Sequence, residues 1–152
     1  MSISHQYSTS ISNAQSGQEI DEFIKQFQTE LSIYQLPEAF KKIGLIVEKT
    51  NDCLIVRAHG ITLRSRADHI WNNKGALIGR IQFFQVANDD LENAVCYTIF
   101  IDKFGNMGHG EFASNFSSKF TGTDLSEVLE TLRRVVIGLL NAIHELVPRV
   151  DV

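Results

Sequence analysis

The feature that most constrains this chain is its C-terminal apolar stripe. Leu125, Val128, Leu129, Leu132, Val135, Val136, Leu139, Leu140, Ile143, Leu146 and Val147 recur at intervals of three and four. That spacing puts them on one side of a single long helix. Asp124 and Glu127 have the separation of a capping box. Glu130 and Arg134 form an i,i+4 pair in the favourable order, and Pro148 ends the run. A stripe this wide must be covered. The candidates are a sheet of the same chain or a second copy of it, so a homodimer is one expectation.

The rest of the sequence supplies the sheet. Leu45, Ile46 and Val47 lead into Thr50-Asn51-Asp52, a turn sequence. Residues 53–66 alternate, with Leu54, Val56 and Ala58 in one phase and Ile61 and Leu63 in the next. The shift falls at His59-Gly60, which reads as a β-bulge or, in competition, a tight turn. Residues 67–74 break the alternation and read as a connecting loop. Residues 76–86 resume as a strand, and Asn88-Asp89-Asp90 marks a polar turn. Val95–Ile101 is apolar in both phases, as expected of a strand covered on two sides. Residues 103–108 read as a turn, and 109–119 as a final strand. Phe112, Phe116 and Phe120, four apart, argue instead for a helical turn there.

A second amphipathic helix precedes the strands. Ile20, Phe23, Ile24, Phe27 and Leu31 share a face over residues 17–33, behind a capping-box pair, Ser16 and Glu19. Pro37 opens a short helix over 37–43, and Gly44 stops it. Residues 1–15 read as a flexible arm or, from Tyr7, Thr9 and Ile11, an edge strand. Helices at both ends with strands between predict an α+β fold. The expectation is an antiparallel sheet of about four to six strands, flanked by an N-terminal amphipathic helix and a long C-terminal helix. Residues 16–152 form a single domain.

Element order suggests two likenesses, neither with a motif behind it. Helix, three strands, connector, two strands and helix is similar to the order in dimeric type III secretion chaperones. With a strand at 5–12, the order is similar to helix-grip folds. That likeness implies a small apolar ligand in a pocket lined by Phe83, Tyr97 and Phe100.

Motifs for chemistry are missing. The histidines (His5, His59, His69, His109 and His144) have no helical metal-ligand spacing. Neither Cys53 nor Cys96 belongs to a CxxC pair, and both read as reduced core thiols. No nucleophile elbow and no phosphate-cradling glycine loop occurs. No metal, cofactor or catalytic residue is assigned, and an enzyme using dispersed groups such as Asp68, His69 or His109 remains the third reading. The net charge of −4 argues against broad nucleic-acid contact. The N-terminus has no apolar leader and no segment spans a bilayer, so the expected compartment is the cytoplasm.

One stretch departs from the acidic balance. Arg57, Arg64, Arg66, Lys74 and Arg80 stand against Asp68 alone, and between them lie His69 and Trp71, the only tryptophan. Arg, His and Trp together resemble a binding hot spot. The expectation is therefore a non-catalytic protein-binding module, of the kind that inhibits an enzyme, neutralises a toxin or escorts a secreted protein. It would act through a sheet face and the Trp71 loop, with Arg57, Arg64, Arg66, His69, Trp71 and Lys74 as its contact residues.

Overall fold

The computed structural model describes residues 3–34, 36–86, 92–109, 116–119 and 125–151, with backbone only at 92, 93, 109 and 116–119. Helix α1 spans Ile3–Ile33 and α2 spans Glu38–Lys42. Seven strands follow: β1 (Ile46–Thr50), β2 (Cys53–Ala58), β3 (Ile61–Trp71), β4 (Leu77–Val86), β5 (Glu92–Ile101), β6 (Asn106–His109) and β7 (Phe116–Lys119). Helix α3, Leu125–Leu146, closes the chain. The strands form one antiparallel meander in sequence order. The α+β class stands as read, with the strands lying in sequence between two long helices. The strand count reaches seven because residues 106–108, read as part of a turn, belong to β6 and pair with β5, while β7 lies within the segment read as the final strand. The uninterrupted meander also removes the connector on which the secretion-chaperone likeness depended.

Pleating sorts the strand residues between two faces. Leu54, Val56, Leu63, Ile81, Phe83, Ile99, Ile101 and Met107 face the helices and are buried in one core. Helix α1 contributes Ile20, Ile24, Phe27 and Leu31 to it, and α3 contributes Leu132, Val135, Val136, Leu139 and Ile143. Both periodic stripes thus find their cover within the chain. Ile78, Phe84 and Phe100 are buried on the opposite face.

Two glycines set how closely the helices approach. A Cβ at Gly79 would overlap the side chain of Ile20 and touch Ile24. A Cβ at Gly138 would overlap the Tyr97 ring. Alanine would favour helix α3 at position 138 by about 1 kcal/mol, so the tyrosine contact explains the glycine there. Tyr97 also packs against Phe83, ring centroids 6.0 Å apart, and burial pushes its phenol well above the usual range.

Several local expectations change. Residues 3–15 are helical, so the alternation of Tyr7, Thr9 and Ile11 marks no strand. Those residues are exposed apart from Asn13, as an arm would be. Ser16 and Glu19 therefore lie mid-helix and cap nothing. His59 and Gly60 both have positive φ, 52° and 76°, the signature of a two-residue type I′ hairpin rather than a bulge. The bulge lies between β4 and β5. There Phe83 pairs with Tyr97 and Phe84 with Val95, leaving Cys96 as the extra residue. This reverses the phase of β5, which is why Val95 is exposed despite its apolar run. Both cysteines are free and half-buried rather than core. Phe112 and Phe120 lie outside the described residues.

Gly79→Ala should destabilise the domain by about 1–3 kcal/mol through overpacking, read as a lower urea midpoint; an unchanged midpoint would mean α1 does not sit on β4. Tyr97 yields a pH prediction. Its folded pKa lies above the unfolded value of about 10, so its contribution is complete below that pH and is lost as pH rises beyond it. Urea midpoints should fall between pH 8 and pH 11, and Tyr97→Phe should flatten that fall.

Candidate functional site

The lengths of β2 and β3 differ, and the site follows from that. Hairpin β2–β3 pairs Ala58 with Ile61, Arg57 with Thr62, Val56 with Leu63 and Ile55 with Arg64. There β2 runs out, because the chain reverses at Asn51 and Asp52 into β1. At the last step Leu54 N–H donates to the buried Ser65 hydroxyl, 2.8 Å. Strand β3 continues to Trp71, paired only with β4, from Arg66 opposite Gln82 to Trp71 opposite Leu77. Arg66, Ala67, Asp68, His69 and Trp71 are all exposed. An exposed alanine inside a strand leaves its backbone open to solvent.

The direction of the free backbone groups can be derived. Asn72 N–H donates to the Ala76 carbonyl, 2.9 Å, closing hairpin β3–β4. In an antiparallel ladder every second residue bonds the same neighbour. Ile70, Asp68 and Arg66 therefore bond β4, while Trp71, His69 and Ala67 point to the other flank. The β2 end agrees: Ile61, Leu63 and Ser65 have that same parity and face β2. Beyond Ser65 no strand among the described residues lies beside this flank.

Helix α1 and the β1–β2 turn frame this flank. The Gln28 amide, buried, donates to the Asp52 carbonyl at 2.9 Å. Lys49 Nζ donates to the Thr29 hydroxyl at 3.1 Å. Both fasten the turn to α1. Further along, His69 Nε2 and Asp21 Oδ1 lie 2.7 Å apart, and the His69 ring lies against Gly17. Two open cavities border the step. One, of about 230 Å³, is lined by Asp21, Ile24, Lys25, Gln28, Asp52, Ala67 and Asp68. The other, of about 550 Å³, lies around Thr50–Cys53, Ile55 and Arg64–Ala67.

The expected contact residues divide between faces. Trp71 belongs to no loop: strand β3 extends through it, and the residue is 58% exposed at the strand's end. It shares the helix-side phase with Ala67 and His69. Lys74 lies beyond it in the tight Asn72–Ala76 turn, its N–H held by Asn72 Oδ1 at 3.0 Å. Arg57, Arg64 and Arg66 share the opposite face. Arg57 pairs with Glu48 at 3.3 Å, and Arg66 lies over the Phe84 ring, 4.6 Å from its centroid. Arg80 and Asp68 form a two-bond pair, at 2.9 and 2.5 Å. That pairing raises the Arg80 pKa further. Sequence reasoning did not single out Ala67, Asp21 or Gln28, which lie beside His69 and Arg66. Only the strand pairing brings these three together.

The other chemical candidates stay apart. Cys53 and His59 stand at opposite ends of β2. Burial lifts the Cys96 thiol pKa, against a weaker lowering from a backbone hydrogen bond. Its Sγ lies 3.2 Å from the Phe83 carbonyl. His59 and His144 meet, Nε2 to Nε2 3.2 Å, a separation of 85 positions that no spacing rule reveals. Among the described residues no group of three potential metal ligands occurs. Phe83 and Tyr97 pack on each other and Phe100 faces the other way, so these three do not line a common pocket. Among the described residues no helix is long and apolar enough to cross a membrane. Asp89, Asp90 and the side chain of His109 lie outside the described residues. Comparisons with family models, curated proteins and solved structures find no match.

Gln28→Ala should cost about 1 kcal/mol, because it removes the amide that holds the Asp52 carbonyl. It should also loosen the β1–β2 turn, seen as faster amide exchange at Cys53 and Leu54. No change at those amides would show that Gln28 does not hold the turn.

Proposed function

We propose that this chain is a protein-binding module with no chemistry of its own, and that the exposed end of β3 is its contact surface. The observation carrying this reading is the run Arg66–Trp71, a strand exposed on one flank and ending in an uncovered tryptophan. Tryptophan is the residue most enriched at binding hot spots. A large apolar ring held at a rigid strand end loses little freedom on binding. His69 and Lys74 lie nearest that end, while Arg57, Arg64 and Arg66 lie further back on the opposite face. The carrier reading has less support, since the cavities described above are open grooves beside β3.

Two experiments bear on this. Trp71→Ala should leave the melting temperature nearly unchanged, because the ring buries little; a large fall would place Trp71 in the core. A photo-crosslinking amino acid at position 71 should capture a macromolecule in the native host, while the same group at Leu129 on α3 should not. Equal capture at both positions, or none at either, would count against the reading.

A further inference from the structure

We infer that the free flank of β3 takes up an extended, basic segment of another polypeptide as an added strand. This rests on the binding-module reading and names the partner's chemistry.

The flank offers a row of main-chain groups. Ala67, His69 and Trp71 each direct an N–H and a C=O away from β4, as the parity of the ladder requires. The chemical complement of such a row is another extended backbone, which returns bonds at alternate residues. The added strand would continue the line of β2, antiparallel to β3. It would stop at the β1–β2 turn, which Gln28 fixes against α1. Residues 67–71 give it a length of roughly 17 Å at ~3.4 Å per residue. Exposed strand edges are normally blunted by a bulge, a proline or a covering loop. The described residues place none of these on this flank.

Charge selects the segment. On the helix side the groove is lined by Asp21 and Asp52 against Lys25. Residues of the added strand opposite Ala67, His69 and Trp71 would point to that side, toward α1 and the indole. Lysine or arginine there meets carboxylates and can lie on the Trp71 face. Residues between them would point to the Arg66, Asp68 and Ile70 side, where neutral or apolar side chains avoid the arginine. The carboxylates also disfavour a phosphate backbone. A second copy of this chain fits poorly, because full overlap would drive its Asn72–Ala76 turn into Asn51 and Asp52.

The test uses the full chain and a capped synthetic peptide, Thr-Lys-Val-Lys-Val-Lys-Thr. Trp71 is the only tryptophan, so its emission reports binding directly. The expected result is a saturable Trp71 shift, with slowed amide exchange at Ala67, His69 and Trp71. Replacing the lysines by glutamates, or N-methylating alternate backbone nitrogens, should weaken binding at least about tenfold, the equivalent of roughly 1.4 kcal/mol. Ala67→Pro should have the same effect while the domain stays folded, since proline is tolerated where an edge N–H faces solvent. The inference is overturned if the methylated or the glutamate peptide binds as well as the parent. It is equally overturned if Ala67→Pro unfolds the domain, or converts a dimer of this chain into monomers. Crosslinking from position 71 together with methylation-insensitive peptide binding would leave the module reading intact and remove strand addition. Failure of both crosslinking and peptide binding would remove the two together.

Discussion

Helix α1 can lie against the sheet because position 79 carries no side chain. Ile20 and Ile24 occupy the space that a Cβ would take, and from that contact the helix runs beside β3 to the β1–β2 turn. His69 with Asp21 and Gln28 with Asp52 mark two further points along the same line. These three contacts fix α1 as the wall of the groove. Were α1 displaced, the carboxylate of Asp21 and the amide of Gln28 would leave the flank together.

The open flank itself comes from unequal hairpins. Strand β2 has six residues and β3 has eleven, so part of β3 outruns its neighbour. A fold optimised for stability alone would pair or blunt such an edge. Here the edge is level, and its last residue is an exposed tryptophan. The arginines of the opposite face already have local roles: Arg57 meets Glu48, Arg80 meets Asp68, and Arg66 covers Phe84. These exposed contacts are each worth little, so the basic face contributes mainly to local potential.

Much of this architecture is legible in the sequence, for a physical reason. The stripes on α1 and α3 repeat over several turns, and their burial against a sheet follows from that. The α+β class and most strand positions follow in the same way. What escaped reading depends on pairing. Residues 67–71 break alternation because Ala67 and His69 lie on the helix side without being buried, so a real strand looks like a loop. The phase change at His59-Gly60 is equally produced by a bulge and by a hairpin; only the two positive φ angles separate them. Cys96 is the residue a bulge inserts, which no local pattern marks. Residues 3–15 carry no apolar stripe that the body of the domain covers, so their helix has little signature. Of the candidate site, Trp71, His69 and Arg66 were visible by composition. Ala67 was not, since its importance lies in its backbone and its neighbours on α1, from Gln28 to Asp21, are 39 to 46 residues away.

Native-state amide exchange along β3 tests the central claim most directly. An open flank requires alternation: the amides of Arg66, Asp68 and Ile70, bonded to β4, should exchange slowly, and those of Ala67, His69 and Trp71 should exchange fast. Uniform protection from Arg66 to Trp71 would mean that the flank is already covered, and the account of this chain as a strand-capturing module would fail.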